Sequence, residues 1–239
     1  MVLVIREPVE LPPIVANPVG VTEAQSTVAE TTGQAATVDV IALRALYPLH
    51  TEWTWHAHTD ANAGYGGSVI TLGTFGTVLD FWNLYDHIPH PGDVLCGSAR
   101  IFLPSTFSNG CTVNGFAVFR KGIEPAWEDA RNADGCDLCA RGTFSAEKLT
   151  STWRDLLGLL IHEGFPPTTV GIRVAFKCDR RTSAILHKFE VWSDGLDTQD
   201  LKSVLTEYFP SLAFQTVLHK DAAAQSSRPH VPRTRVAKR

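Results

Sequence analysis

The sequence predicts an α+β domain in which a mostly antiparallel sheet is backed by three helices. Three observations carry that prediction. Only three segments place apolar residues at the three-and-four spacing of a helix. Six shorter pieces have the look of strands, one with clear two-residue alternation. The order of the two kinds lacks the regular strand–helix alternation of a doubly wound parallel sheet.

Along the chain, residues 1–42 hold Pro8, Pro12, Pro13 and Pro18 and then a Ser/Thr/Ala/Gln-rich stretch without an aromatic residue. Such a composition buries too little surface to offset ordering entropy, so an unstructured arm is expected. All six tryptophans fall between Trp53 and Trp192, which places the folded domain at residues 43–220. Strand-like pieces at Trp53–His58 and Ser68–Leu72 come first. Thr77 and Asp80 then form a capping pair ahead of Val78, Phe81, Trp82, Tyr85 and Ile88, a short amphipathic helix. Phe116–Phe119 follows as a strand. Ser145 opens the longest helix, with Leu149, Trp153, Leu156, Leu157, Leu160 and Ile161 on one side, and Gly164, Pro166 and Pro167 stop it. In the strand Val170–Lys177, Ile172, Val174 and Phe176 share one face and Arg173, Ala175 and Lys177 the other. Ser183–Trp192 is the next strand. A third helix runs from about Thr198 through Leu201, Val204, Leu205 and Tyr208 to Pro210, and Ala213–Leu218 closes the domain. Residues 221–239 set Arg228, Arg233, Arg235, Lys238 and Arg239 against Asp221 alone, a basic tail.

Bulk composition excludes several classes. At 239 residues the chain suits one ordinary domain with tails. No apolar run approaches the roughly 18 residues of a membrane-spanning helix. The opening MVLVIREPVELPPIV sets acids and prolines where a signal peptide needs an unbroken apolar stretch. Five cysteines, at positions 96, 111, 136, 139 and 178, fit a reducing compartment better than a disulfide framework, so a cytoplasmic protein is expected. With a net charge of -4, any nucleic-acid contact must rest on a local basic patch. No Gly-x-Ser-x-Gly elbow, Walker loop or His-Glu-x-x-His pair occurs, so binding is expected and catalysis is not. Cys136-x-x-Cys139 lacks a second Cys or His pair, so neither metal nor cofactor is expected. His56 and His58, on one strand face, read as structural residues turned to solvent or a partner.

The segment FAVFRKGIEPAWED, from Phe116 to Asp129, runs a strand into a loop punctuated by Gly122 and Pro125 and ends with Trp127 beside Glu128. A flat cationic base such as a methylated guanine needs an electron-rich ring on its face and a carboxylate for the donors on its edge. The same pair also describes a core tryptophan beside a solvated acid.

The strings TVLDFWNLYDHI and FRKGIEPAWEDARN, with YPLHTEW upstream and a tryptophan-bearing long helix downstream, resemble the eukaryotic translation initiation factor 4E family, the messenger-RNA cap-binding proteins. The resemblance runs from about Tyr47 to Asp221. It implies a curved sheet with a cap pocket on its concave side. Trp127 then matches a cap-stacking tryptophan and Glu128 the acid that reads the guanine edge. Tyr65, ten positions before Phe75, stands where the family's first stacking tryptophan is usual, and tyrosine offers less area and a weaker cation attraction. Without a ligand it would be a loop aromatic between glycines. Trp192 matches the tryptophan near the N7 methyl group. Lys188 matches a lysine on the triphosphate, and Lys177 stands for a family arginine without its bidentate fork. Arg180 and Arg181, in a hairpin longer than the family norm, either add phosphate contacts or form a solvated turn.

The resemblance also implies a second surface that receives a helical Tyr-x-x-x-x-Leu-apolar motif, from an initiation scaffold of the 4G type or a 4E-binding protein. Tyr47, Pro48, Val78, Trp82 and Asp155 match it, while Arg154 and Gly158 replace leucines and Trp82 alone would also suit a core. The stretch Pro89–Val113 is longer than its family counterpart. These departures are those of a divergent member, of a protist, trypanosomatid-like kind. Two functions follow as expectations: recruitment of capped messenger RNA to translation initiation, or a regulatory paralogue that binds cap weakly and represses translation or sequesters partners. A cap-processing hydrolase using Glu128 would need paired carboxylates or metal ligands, which the sequence does not display.

Overall fold

A computed structural model describes residues 2–4, 47–59, 68–94, 100–102, 111–178 and 185–220. Tyr65, Arg180, Arg181, the basic tail and nearly all of the expected N-terminal arm lie outside the described residues. The elements are β1 (Val2–Val4), β2 (Pro48–Thr59), β3 (Ser68–Thr77), α1 (Val78–His87), a single turn α2 (Pro91–Val94), β4 (Arg100–Phe102) and β5 (Cys111–Arg120). After these come β6 (Cys136–Gly142), α3 (Ala146–Ile161), β7 (Thr169–Cys178), β8 (Ile185–Ser193), α4 (Gln199–Tyr208) and β9 (Gln215–Leu218).

Seven strands pair antiparallel in the order β3-β2-β5-β7-β8-β6-β9, and with helices α1, α3 and α4 they give the α+β fold. Register shifts at Trp55/His56, His58/Thr59 and Thr169/Gly171 sharpen the twist of this curved, open sheet. The long stretch after Pro89 supplies α2, β4 and the start of β5. β4 lies antiparallel to that start, and β1 runs parallel to β4. Val2–Val4, at the start of the expected arm, is a strand, and a tripeptide of Val, Leu and Val suits a strand edge. β6 was not foreseen, because CDLCARG lacks β-branched residues and its cysteine pair reads first as a metal motif.

Cross-strand register decides which side chains share a face. Trp55, Val118, Ile172, Val191 and Leu138 form one row across five strands. That row and its neighbours Trp53, Phe116, Val174 and Phe189 pack against Phe81 of α1, Leu149, Trp153, Leu156, Leu157 and Leu160 of α3, and Leu201 and Leu205 of α4. The opposite, concave face carries three other rows. They read Thr54, Phe119, Gly171, Trp192 and Asp137; then His56, Ala117, Arg173, Glu190 and Cys139; then His58, Gly115, Ala175, Lys188 and Arg141.

The helix caps match their sequence signals. Thr77 Oγ1 accepts from the Asp80 amide at 3.1 Å and donates to the Asp80 carboxylate at 2.9 Å. Ser145 Oγ accepts from the Lys148 amide at 3.2 Å.

Gly171 of β7 leaves room for the Phe119 ring of the paired strand β5. A Cβ there would stand 2.5 Å from the ring of the buried Phe119. Gly171→Ala should therefore lose about 1–3 kcal/mol through overpacking, read as a lower denaturant midpoint with an unchanged slope. An unchanged midpoint would show that the Phe119 ring has room to move.

Candidate functional site

The loop after β5 is built to hold one aromatic ring. Gly122 turns the chain at φ 81, the left-handed region glycine takes without strain, and the Ile123 amide donates back to the Arg120 carbonyl at 3.0 Å. Asn132, completely buried, then rivets the loop from below. Its Nδ2 donates to the carbonyls of Glu124 at 2.8 Å and Ala126 at 2.9 Å. Its own carbonyl accepts from the Gly135 amide at 2.9 Å and from His219 Nδ1 at 2.6 Å. Asp129 adds a second tie, its carboxylate accepting from the amides of Glu124 and Arg131, each at 2.9 Å.

Trp127 sits in the span so held. Its half-buried ring rests on a small apolar cluster of Ala117, Phe119, Ile123, Val170 and Trp192, on the sheet face that the helices leave uncovered. Glu128, next in sequence, is exposed. The structure thus brings Trp127, Glu128 and Trp192 to one region. Asn132, Asp129 and His219 were not singled out from the sequence, where a short polar run after Glu128 reads as an ordinary turn.

Trp192 departs from the expected open ring. It is 1% exposed, edge-on to Phe119 at 5.2 Å between centroids and covered by His219 at 4.4 Å. Its indole Nε1 donates to the Glu190 carboxylate at 3.2 Å. Contact with a ligand's methyl group therefore requires a neighbouring side chain to give way. His56 and His58 correct another expectation, being buried on the concave face, not turned to solvent. Burial and the nearby Arg173 guanidinium push the His58 pKa down to about 3, so it is neutral at physiological pH.

Lys188 lies between two carboxylates that the sequence did not reveal as a pair. It is ion-paired with Glu190, and its Nζ is 3.6 Å from Asp137 Oδ2. Burial opposes the charge of Lys188, but Glu190 and Asp137 outweigh it and raise its pKa. Glu190 is likewise buried, yet Arg173 at 3.4 Å and Lys188 hold its pKa low. Asp137 moves the other way: burial and the adjacent Glu190 push its pKa up to about 6. Lys177 lies on β7 in register with Leu186. Cys136 and Cys139 are buried free thiols, and no group of three or more metal-ligating side chains occurs among the described residues.

On the helical side, Trp82 is 44% exposed and Tyr47 59%, so Trp82 is a surface residue and not part of the core. The Val78 amide, opening α1, donates to the Tyr47 carbonyl at 3.0 Å, which ties Tyr47 and Pro48 to the start of that helix. A groove of about 430 Å³ runs between α1, α3 and α4, lined by Phe81, Trp82, Arg154, Asp155, Gly158, Leu159, Ile161, His162 and Tyr208. Arg154 and Asp155 are paired at 3.4 Å on its rim. A Cβ on Gly158 would meet nothing within 4 Å, so the groove is open where a leucine would fill it.

Fold and site together define an α+β domain whose curved sheet is packed by helices on one face and presents aromatic and charged side chains on the other. A sequence profile of the eukaryotic initiation factor 4E family matches residues 48–230, and the chain belongs to that family. It is 32% identical over 139 residues to eukaryotic translation initiation factor 4E1 of Drosophila melanogaster, a match covering 56% of this chain and 48% of that protein. With eukaryotic translation initiation factor isoform 4E-2 of Oryza sativa subsp. japonica it shares 34% over 145 residues, covering 57% and 60%. The chain thus spans about half the length of the curated relatives it matches. Among solved structures, the complex of C. elegans eIF4E-3 with the 4E-binding protein Mextli and cap analog superposes with a TM-score of 0.56 at 23% identity, over 77% of this chain and 98% of that one. Ascaris suum eIF4E-3 with m2,2,7G cap gives 0.53 at 22%, over 73% and 92%. These two likenesses concern the fold.

Asn132→Ala would strip the Glu124 and Ala126 carbonyls of their donor. A loss of about 1–3 kcal/mol is expected, with faster amide exchange across residues 124–132 and a red-shifted Trp127 emission. Unchanged exchange in that segment would mean that Asp129 alone holds the loop.

Proposed function

We propose that the chain binds the 7-methylguanosine cap of messenger RNA on the concave face of its sheet and a helical protein motif on the opposite side, and so recruits messenger RNA to the translation initiation machinery. The observation that carries this reading is the Trp127–Glu128 loop, fixed from beneath by Asn132 over an apolar floor. A stacking ring must be held in place before the ligand arrives, since otherwise binding energy is spent on ordering it. Glu128 accepts from the guanine N1 and N2, Tyr65 supplies the second ring, and Trp192 meets the methyl group once its cover shifts. Lys177, Arg180, Arg181 and Lys188 take the phosphates. Tyr47, Pro48, Val78, Trp82 and Asp155 receive the helix of a 4G-type scaffold or a 4E-binding protein.

A cytoplasmic setting goes with this reading, and so does binding without catalysis. No helix among the described residues is long and apolar enough to cross a membrane. The regulatory alternative draws on the ion pairs of Lys188 and on Arg154 and Gly158 in the groove. The nematode relatives solved with a cap analog and with a 4E-binding protein favour the first reading.

Tryptophan-fluorescence titration with 7-methyl-GTP against GTP tests it. Quenching should need at least about tenfold less of the methylated ligand, the scale of a desolvated cation–π contact. Trp127→Ala and Glu128→Gln should each lose that preference. An equal response to both nucleotides would overturn cap recognition.

A further inference from the structure

The concave face holds a charge that the site as described does not use. Lys188, assigned above to the phosphates, is already engaged: it is ion-paired with Glu190 and lies 3.6 Å from Asp137 Oδ2. Both carboxylates are 1% exposed. Glu190 has further partners, accepting from Arg173 Nη1 at 3.4 Å and from Trp192 Nε1 at 3.2 Å. Asp137 has no hydrogen bond to either oxygen. Its other close polar neighbour is His219, whose Nε2 is 3.7 Å from Oδ1. That nitrogen faces the carboxylate with a lone pair, because His219 Nδ1 donates its proton to the Asn132 carbonyl and burial keeps the ring neutral.

A buried carboxylate without hydrogen bonds is costly, and Lys188 is the one cation within 4 Å of it among the described residues. The buried charges of Asp137 and Glu190 against Lys188 and Arg173 sum to zero, so the buried cluster offers a polyanion no net positive charge and only the exposed Arg141 beside it does. An arriving triphosphate must compete with Asp137 for Lys188 and sit near an uncompensated carboxylate when it wins. We propose that Asp137 is an affinity-setting residue of the ligand site, an internal rival of the phosphates that holds Lys188 back and weakens the phosphate-dependent part of binding. The idea rests on the reading that Lys188 meets the cap phosphates. It also gives the site a selectivity: by discounting phosphate charge, it shifts discrimination toward the methylated base.

The test compares wild type and Asp137→Asn by isothermal titration with 7-methyl-GTP, with GTP and with the nucleoside 7-methylguanosine. Asparagine keeps the shape and removes the charge, leaving the cluster one unit positive. The variant should bind 7-methyl-GTP about three- to tenfold more tightly, with log K falling by about one further unit per decade of salt, and 7-methylguanosine as the wild type does. Adding Lys188→Met to Asp137→Asn should abolish the gain. A cooperative melt checks that the variant folds, and Asp137→Ser serves as a second substitution if it does not. Unchanged or weaker binding of 7-methyl-GTP by a folded variant, or equal gains for nucleotide and nucleoside, overturns the proposal and leaves cap recognition standing. If neither protein prefers the methylated nucleotide, the cap reading falls and this inference with it.

Discussion

The registered pairing of five strands is the constraint on which everything else rests. Because side chains alternate with a period of two, the pairings from β2 through β5, β7 and β8 to β6 put one apolar row under the helices and the rows on either side of it on the concave face. Trp55, Val118, Ile172, Val191 and Leu138 go under the helices, and each neighbour in sequence goes to the other side. A one-residue slip at any pairing would drive Arg173 or Glu190 into the helical core. Burial against α3, whose Trp153, Leu156, Leu157 and Leu160 are all buried, fixes the register and thereby fixes the concave array.

That array must solve its own chemistry, since no helix among the described residues covers it. Apolar residues near one end gather into the floor beneath Trp127. Charged residues in the next two rows neutralise one another as Arg173–Glu190–Lys188, with Asp137 left over. The two regions meet at His219. Its ring covers Trp192, its Nδ1 reaches the Asn132 carbonyl, and its Nε2 faces Asp137. A single buried histidine after β9 therefore couples the loop that holds Trp127 to the cluster that holds Lys188.

Much of this was legible in the sequence. The three helices, their caps at Thr77 and Ser145, and the alternation in β7 follow from local spacing and local hydrogen-bond chemistry. Trp127 beside Glu128 was legible as a pair because both residue types suit one chemistry, and Trp82 only through the resemblance, since alone it would also suit a core. β6 was hidden, as its cysteines, Asp137 and Arg141 carry no strand signal of their own. Asp137 meets Lys188 through pairing between strands some fifty residues apart, and no local pattern encodes such a contact. Asn132 was hidden for the same reason from the other side: a short polar residue in a turn looks dispensable until its carbonyl partners are known. The burial of Trp192 and the two β2 histidines reflects packing of the whole concave face, which strand alternation alone does not report.

Stacking of a methylated base on Trp127, held in place by Asn132, is the core of the proposed function. It is tested most directly by following the six indole N–H resonances by NMR as 7-methyl-GTP is added. The largest shift is expected at Trp127, a smaller one at Trp192, and none at Trp82 on the far side of the molecule. Shifts centred on Trp82, or a silent Trp127 in a spectrum that otherwise changes, would contradict it.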